Sequence, residues 1–455
     1  MLCFHKNKCS QLNVQKLHRN PDFTLTRVLL PPQGLTSEPS YLNMTVLRTY
    51  TLAVVWLILI LFLVNHFLDH KSTLPHHTPS APEVRLRTKT RILTSVVQGR
   101  NRTSPRSLRP VQVAEEKQKR NDHRPNDRSK NFSQTWSSKV LEKLWTGNLT
   151  VGMLSPHLKN IRRSYLNSTK HEVVYPVLRT VHRSKVQLYC DMKSRTKVRT
   201  VDGTEEPFSS LGWDQLVPLQ TVQDLHYQKC AVVMSAGSML RSALGREIDS
   251  HDAVLRFNAA PTVGFETDVG NKTTIRIINS QIVSKRKHQF SSSPLYEGVT
   301  LLVWDPASYS LNLTKWFQKP DFNLFSAYER RRIQRPEQPF YVLHPQFIWT
   351  LWDLIQNNTE DQIQPNPPSS GFMGILLMMS LCRDVSVYEF LPSTRHTSRC
   401  HYYERNFDSA CTFGAYHPLL YEKLLVQRLN EGNVDELRTK GKVRLRGFSA
   451  VQCET

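Results

Sequence analysis

The run Cys230-Ala-Val-Val-Met-Ser-Ala-Gly-Ser238, continuing to Asp249-Ser-His-Asp-Ala-Val-Leu-Arg-Phe-Asn258, constrains the fold more than any other part of the chain. It begins as a short apolar strand that stops at a turn of small residues. A helical segment follows, then a second apolar strand ending on a polar side chain. Strand, helix and strand in close succession build α/β proteins with parallel sheets. The Ser-Ala-Gly-Ser turn brings backbone N–H groups and hydroxyls close to whatever lies beyond the strand, which suits a nucleotide-like ligand. The same residues also make an ordinary tight turn in an α/β core, and one small-residue turn does not decide between the two.

The rest of the C-terminal part repeats the alternation. Strands are expected at Cys230–Ser235, Thr274–Ile278, Thr300–Trp304, Tyr341–Leu343 and Val385–Phe390, with helices at Phe347–Gln356 and Gly371–Cys382 among them. The expectation is one α/β domain over residues 186–455 with a mainly parallel central sheet. There are no internal repeats.

The first part of the chain has a different composition. Leu52-Ala-Val-Val-Trp-Leu-Ile-Leu-Ile-Leu-Phe-Leu-Val64 is uninterrupted apolar sequence. With its flanks it reads as a transmembrane signal-anchor over residues 48–69, near the roughly 20 residues that cross a bilayer. Lys6, Lys8, Lys16, Arg19, Arg27 and Arg48 precede it. The positive-inside rule then makes residues 1–47 a cytosolic tail and places the rest in the lumen, a single-pass type II arrangement. Residues 70–185 are polar, with scattered prolines and basic runs, and read as a disordered basic stem. Weak helical periodicity between Trp136 and Leu158 offers a segment able to dock onto the domain. The net charge of +22 raises nucleic acid as a partner, but much of the excess lies in the Arg- and Lys-rich stretch 85–130. No zinc-finger spacing or aromatic-interleaved basic strand accompanies it, so nucleic acid is not expected.

A lumenal location agrees with sequons at Asn101, Asn131, Asn148, Asn167, Asn312 and Asn357. A seventh, Asn271, lies inside the apolar α/β region and is not expected to carry glycan. Beyond the span stand Cys190, Cys230, Cys382, Cys400, Cys411 and Cys453, with no C-x-x-C metal spacing. Three disulfides in an oxidising compartment are the natural reading, and 15 pairings satisfy it.

A second region carries chemistry. In Pro365-Asn-Pro-Pro-Ser-Ser-Gly-Phe-Met-Gly-Ile375 the prolines stop a preceding helix, and Ser369 or Ser370 caps the next. Such a helix start presents free N–H groups to an anion. An ordinary capped core helix has the same signature.

These segments resemble the sialyl motifs of the animal sialyltransferases. Cys230 to Asn258 is similar to the large motif, and Pro365 to Cys382 to the small one. His401-Tyr-Tyr-Glu404 resembles the third, and Gly414-Ala-Tyr-His417-Pro-Leu-Leu-Tyr-Glu422 the very small motif. The resemblance extends through 299–322 and to the Cys453 tail, and is closest to the β-galactoside α-2,6-sialyltransferases. Arg-Ile-Ile-Asn-Ser-Gln, Cys-His-Tyr and Leu-Leu-Val-Gln-Arg-Leu-Asn favour their second isoenzyme type.

The resemblance implies a Rossmann-like, GT-A-variant domain in the Golgi membrane. It would move sialic acid from CMP-sialic acid to the 6-hydroxyl of a terminal galactose on a glycan. His417 would be the general base, an imidazole suited to neutral pH, with Glu422 ordering its surroundings. Ser235, Asn258, Asn279, Ser369, Ser370, Gly371, Thr412, Tyr416 and Lys423 would bind the donor. Gln281, Asp321 and Tyr416 would meet the galactose. The implied disulfides are Cys190–Cys453, Cys230–Cys382 and Cys400–Cys411. No Asp-x-Asp occurs in the chain, and the donor's single phosphate can be neutralised by a helix start and side chains. No cofactor and no metal are therefore expected.

Overall fold

The computed structural model describes Trp56, residues 138–175 and residues 183–453. The expected cytosolic tail, the expected span apart from Trp56, most of the expected stem, and the sequons Asn101 and Asn131 lie outside the described residues. Among the described residues no helix is long and apolar enough to cross a membrane.

Seven strands form one sheet: β1 (Tyr227–Val233), β2 (Ala253–Phe257), β3 (Ile275–Asn279), β4 (Thr300–Trp304), β5 (Phe340–Val342), β6 (Cys382–Tyr388) and β7 (Lys442–Arg446). Their order is β5-β4-β3-β2-β1-β6-β7. All neighbours pair in parallel except β6 and β7. The expected mainly parallel α/β sheet is thus present. β7 was not among the expected strands. Its Lys-Val-Arg-Leu-Arg alternates apolar and charged residues, and Val443 and Leu445 are the buried ones. That period-two pattern is brief and rich in charge.

Alternation along the strands feeds two faces. Cys230, Val232 and Met234 enter the largest apolar cluster, while Ala231 and Val233 enter another on the opposite face. The same division holds in β4, with Leu302 and Trp304 on one side and Leu301 and Val303 on the other. Burial on both faces explains why these strands are apolar throughout rather than every second residue.

Six helices matter below: α1 over residues 138–145, α2 (Pro156–Leu166), α3 (Lys185–Arg195), α4 (Pro345–Gln356), α5 (Ser370–Leu381) and α6 (Leu419–Leu429). In α5, Phe372 through Met379 and Leu381 are all buried, because the helix runs through the core against the sheet. Gly374 permits that approach: a Cβ there would stand 2.7 Å from the Phe257 ring and 2.9 Å from Leu255.

The domain begins earlier than residue 186, which corrects the stem boundary. Val140, Leu141, Leu144 and Trp145 form one buried stripe on α1, the helical periodicity noted around Trp136–Leu158. Leu149, Leu154 and Leu158 join the same core. The Trp145 indole N–H donates to Pro392 O at 2.9 Å. The polar composition around these residues hides a face apolar enough to pack.

Three disulfides join Cys190 to Cys453, Cys230 to Cys382 and Cys400 to Cys411, the pairing that the resemblance implies. Asn148, Asn167 and Asn312 are exposed. Asn357 is partly buried and its side-chain oxygen accepts from the Tyr175 hydroxyl, a poorer seat for a glycan.

Candidate active site

In an open parallel sheet, loops at the carboxyl ends of the strands gather where the strand order reverses. Here that is between β1 and β6, since β1 leads on to β2 and the chain crosses to β6 only later. A cavity of about 580 Å³ opens at this edge. Ser235 to Ser238 reach it from β1, Asn258 from β2, and Asn279 and Gln281 from β3. Ser369, Ser370 and Gly371 supply the start of α5, and Phe390 follows β6.

The first turn of α5 is built to keep two donors free. The Ser369 hydroxyl accepts from Phe372 N at 3.1 Å and donates to Glu422 at 2.5 Å, and the Ser369 N–H donates to the other Glu422 oxygen at 2.7 Å. Ser369 is therefore consumed in capping. The Ser370 oxygen accepts from the Trp304 indole at 2.9 Å, which leaves its own proton to point elsewhere. The N–H groups of Ser370 and Gly371 have no partner among the described residues and form part of the positive end of the helix dipole. A Cβ at Gly371 would crowd Met234 Sδ and the Phe390 ring, each at 3.1 Å.

Asn258 adopts φ +47°, a conformation Asn tolerates better than most residues. Its side-chain oxygen accepts from Asn279 N at 3.0 Å, which locks β2 and β3 together at their ends. Arg276, buried beneath, donates to Asn258 O at 2.9 Å. The Asn279 side-chain oxygen is buried and lacks a partner among the described residues, as expected of a group that meets a ligand.

His417 lines the same cavity. Its Nδ1 lies 2.7 Å from Pro367 O. A carbonyl only accepts, so Nδ1 carries the proton and Nε2 keeps its lone pair in the neutral ring. Burial lowers its pKa below the usual 6.5, against the opposing Pro367 bond. The proline-rich lead-in to α5 also fixes the backbone around it: Gln364 donates to Ala415 O at 3.0 Å, and Asn366 to Tyr416 O at 2.9 Å.

Glu422 and Lys423 follow one turn into α6, both buried. Burial pushes the Glu422 carboxyl up to about 7 while the Ser369 bonds oppose it. Glu422 is fully buried and is not among the cavity-lining residues; it acts on the site through Ser369. Burial lowers Lys423 to about 8, with the carboxylates of Glu422 and Glu389 pulling back. Lys423 does line the cavity, and its ammonium sits 4.6 Å from the Phe390 ring centroid.

All the other expected site residues reach this cavity. Thr412 bonds His396 at 3.0 Å. Asp321 pairs with Lys170 at 2.6 Å and receives its backbone fixing from Asp305, whose oxygen accepts Asp321 N at 3.0 Å. The Tyr416 hydroxyl meets His171 Nε2 at 2.8 Å. Sequence reading missed Lys170, Ser238, Glu389, His396 and Arg399 as cavity residues. Lys170 and His171 lie in the stretch expected to be linker, with no local signal. Glu389 carried one: an acid at the end of an apolar strand. It is buried at φ +59° and accepts from both Ser238 and Ser393 hydroxyls at 2.6 Å. Among the described residues no cluster of three His, Cys, Asp or Glu side chains stands ready to hold a metal.

The sequence pattern described as glycosyltransferase family 29 (sialyltransferase) matches residues 178–434. A zebrafish (Danio rerio) protein named beta-galactoside alpha-2,6-sialyltransferase 2 is 59% identical over 69% of this chain and 62% of its own length. The human (Homo sapiens) protein of the same name is 59% identical over 70% of this chain and 60% of its own. The matched region thus spans about 60% of the length of those relatives. A crystal structure of a mammalian sialyltransferase matches at 20% identity with a TM-score of 0.34, covering 60% of this chain and 92% of that one.

Proposed function

The chain belongs to glycosyltransferase family 29, the sialyltransferases, and on that premise we propose that it transfers sialic acid from CMP-sialic acid to the 6-hydroxyl of a terminal galactose, as in Gal-β-1,4-GlcNAc, on glycans. The observation that carries this reading is the convergence on one cavity of a neutral imidazole with a free Nε2 and a helix start with free N–H groups. An inverting displacement needs a base for the attacking hydroxyl and donors for the departing phosphate. His417 Nε2 takes the galactose 6-OH proton. The N–H groups of Ser370 and Gly371, the Ser370 hydroxyl and the Lys423 ammonium receive the CMP phosphate as it gains charge. Ser235, Asn258, Asn279 and Thr412 hold the rest of the donor. Gln281, Asp321 and Tyr416 hold the galactose, and a carboxylate such as Asp321 suits a pair of sugar hydroxyls.

The names of the relatives support the α-2,6 linkage. The domain is of the Rossmann-like, GT-A-variant class, works without metal or cofactor, and hangs in the lumen of the Golgi from a single type II span over 48–69. The exposed sequons Asn148, Asn167 and Asn312 carry glycan, as do Asn101 and Asn131, with Asn357 the least favourable. The rivals are an α-2,3 or α-2,8 sialyltransferase and a membrane-tethered glycan-binding protein without turnover. Incubating the protein with CMP-sialic acid and N-acetyllactosamine, with and without EDTA, separates them. An α-2,6 product formed equally in EDTA supports the proposal. Another linkage replaces it with the first rival, and absence of CMP release with the second.

A further inference from the structure

Immediately after the cavity-lining Gln281, a short helix (Ser280–Ser284) ends and the chain runs Lys285-Arg286-Lys287-His288. Such a run is ordinarily a solvated face, but this one is tied to the cavity wall. Lys285 Nζ donates to the Gln281 side chain at 2.6 Å and stands 4.6 Å above the Phe322 ring, and both Gln281 and Phe322 line the cavity. Arg286 and Lys287 are exposed, and among the described residues neither has an ion-pair partner within 4.0 Å. The nearby acids are already engaged. Asp321 is paired with Lys170, itself a cavity-lining cation, and Glu404, which bonds His401 and faces His288, is one acid against the three cations Lys285, Arg286 and Lys287. The result is a net positive rim on the Gln281 and Asp321 side of the opening.

We propose that Lys285, Arg286 and Lys287 bind an anionic substituent on the acceptor glycan, a sulfate ester on the sugar next to the galactose. This rests on the reading of Gln281 and Asp321 as the galactose wall. Because Lys285 bonds Gln281, a galactose held by Gln281 would bring the sugar next to it within reach of this run, whereas a carrier peptide would stand several sugars away. A sulfate ester presents oxygens to Arg and Lys without needing desolvation. An exposed site of this kind acts through partly screened charge, so its effect is a preference of about three- to tenfold rather than an absolute requirement.

The test uses the full-length protein in detergent with saturating CMP-sialic acid. kcat/KM is measured for N-acetyllactosamine and for its counterpart sulfated at the 6-position of GlcNAc, at low salt and at about 0.5 M salt. The sulfated acceptor is expected to be better by about three- to tenfold at low salt, and the advantage to vanish at high salt. The double variant Arg286→Ser/Lys287→Ser should lose the advantage while keeping the parental rate on the neutral acceptor. An unchanged ratio in the double variant overturns the proposal. So does a preference that follows acidic residues in a glycopeptide and not the sulfated sugar. Titrating both disaccharides in the presence of CMP reads the rim without turnover. If neither acceptor is sialylated, the transferase reading fails, while the rim stands or falls on whether the sulfated disaccharide binds more tightly to the parent than to the double variant.

Discussion

Replacing Glu422 with Gln separates a carboxylate that builds the site from one that performs its chemistry. Glu422 is fully buried and spends both oxygens on Ser369, the cap of α5. Its pKa stands at about 7 against an ordinary 4.5, chiefly because burial disfavours the anion. The folded protein therefore holds this proton up to about pH 7, while the unfolded chain releases it near 4.5. The associated stability is complete below the unfolded value and is lost as pH rises through the folded one. At roughly 1.36 kcal/mol per pH unit, the loss by pH 8 is on the order of 3 kcal/mol. Gln keeps the shape and a carbonyl for the Ser369 N–H but cannot ionise. Parent and Glu422→Gln should melt together at pH 4.5 to 5. At pH 8 the variant should melt higher by on the order of 5 °C. The assay is thermal unfolding across that pH range, with initial sialylation rates on the same preparations. Equal pH dependence in the two proteins refutes the burial argument. A kcat loss in Glu422→Gln larger than in His417→Asn refutes the assignment of the base to His417, and would move that role to the carboxylate.

His417→Asn should lower kcat by at least ~10²-fold, the usual scale for losing a general base, with CMP affinity largely kept in a titration. Because burial lowers the His417 pKa, the acid limb of the parental rate should lie below pH 6.5. On the alkaline side, Lys423 loses its charge near pH 8. kcat/KM for CMP-sialic acid should decline above that pH, and Lys423→Met should be weak in donor binding at every pH, without that limb. Removing the Cys230–Cys382 bridge as a double alanine variant reopens a loop with a sequence separation of 152. The chain-entropy estimate is a loss of ~5 kcal/mol; an unchanged denaturation midpoint would count against the bridge as a constraint on the unfolded chain.

The strands buried on both faces were legible because an apolar run bounded by turn residues has few other readings. β1 and β4 show this, and β4 is found at Thr300–Trp304 as expected. β7 escaped because three of its five residues are charged. Of the site, the groups contributed by loops after strands and by the start of α5 could be placed, since capping and turn chemistry are local. Lys170 and His171 could not. What brings them to Asp321 and Tyr416 is the docking of the segment after α2, a contact between residues separated by 151 and 245 positions. Nothing in a polar stretch announces such a partner. The stem boundary failed for a related reason: four apolar residues on one face of α1 suffice to dock it, and a basic neighbourhood dilutes them in any average of composition.

Helix α5 ends at Leu381 and β6 starts at Cys382. The chain leaves the cavity at Ser369, crosses the core, reverses without a connecting loop and returns to the cavity at Phe390. Two touching parts of the cavity wall are thus the two ends of a single folded rod, fastened at its bend by Cys230–Cys382. Such a part has no slack. Adding or deleting a residue between 371 and 389 has no loop to absorb it, and would shift the free N–H groups of Ser370 and Gly371, proposed above to meet the phosphate, or Phe390 and the Lys423 beside it. Variation in length among proteins built this way is expected outside that rod, in the segments between the other strands, where the cavity rim can change while the α5 start and Phe390 stay in place.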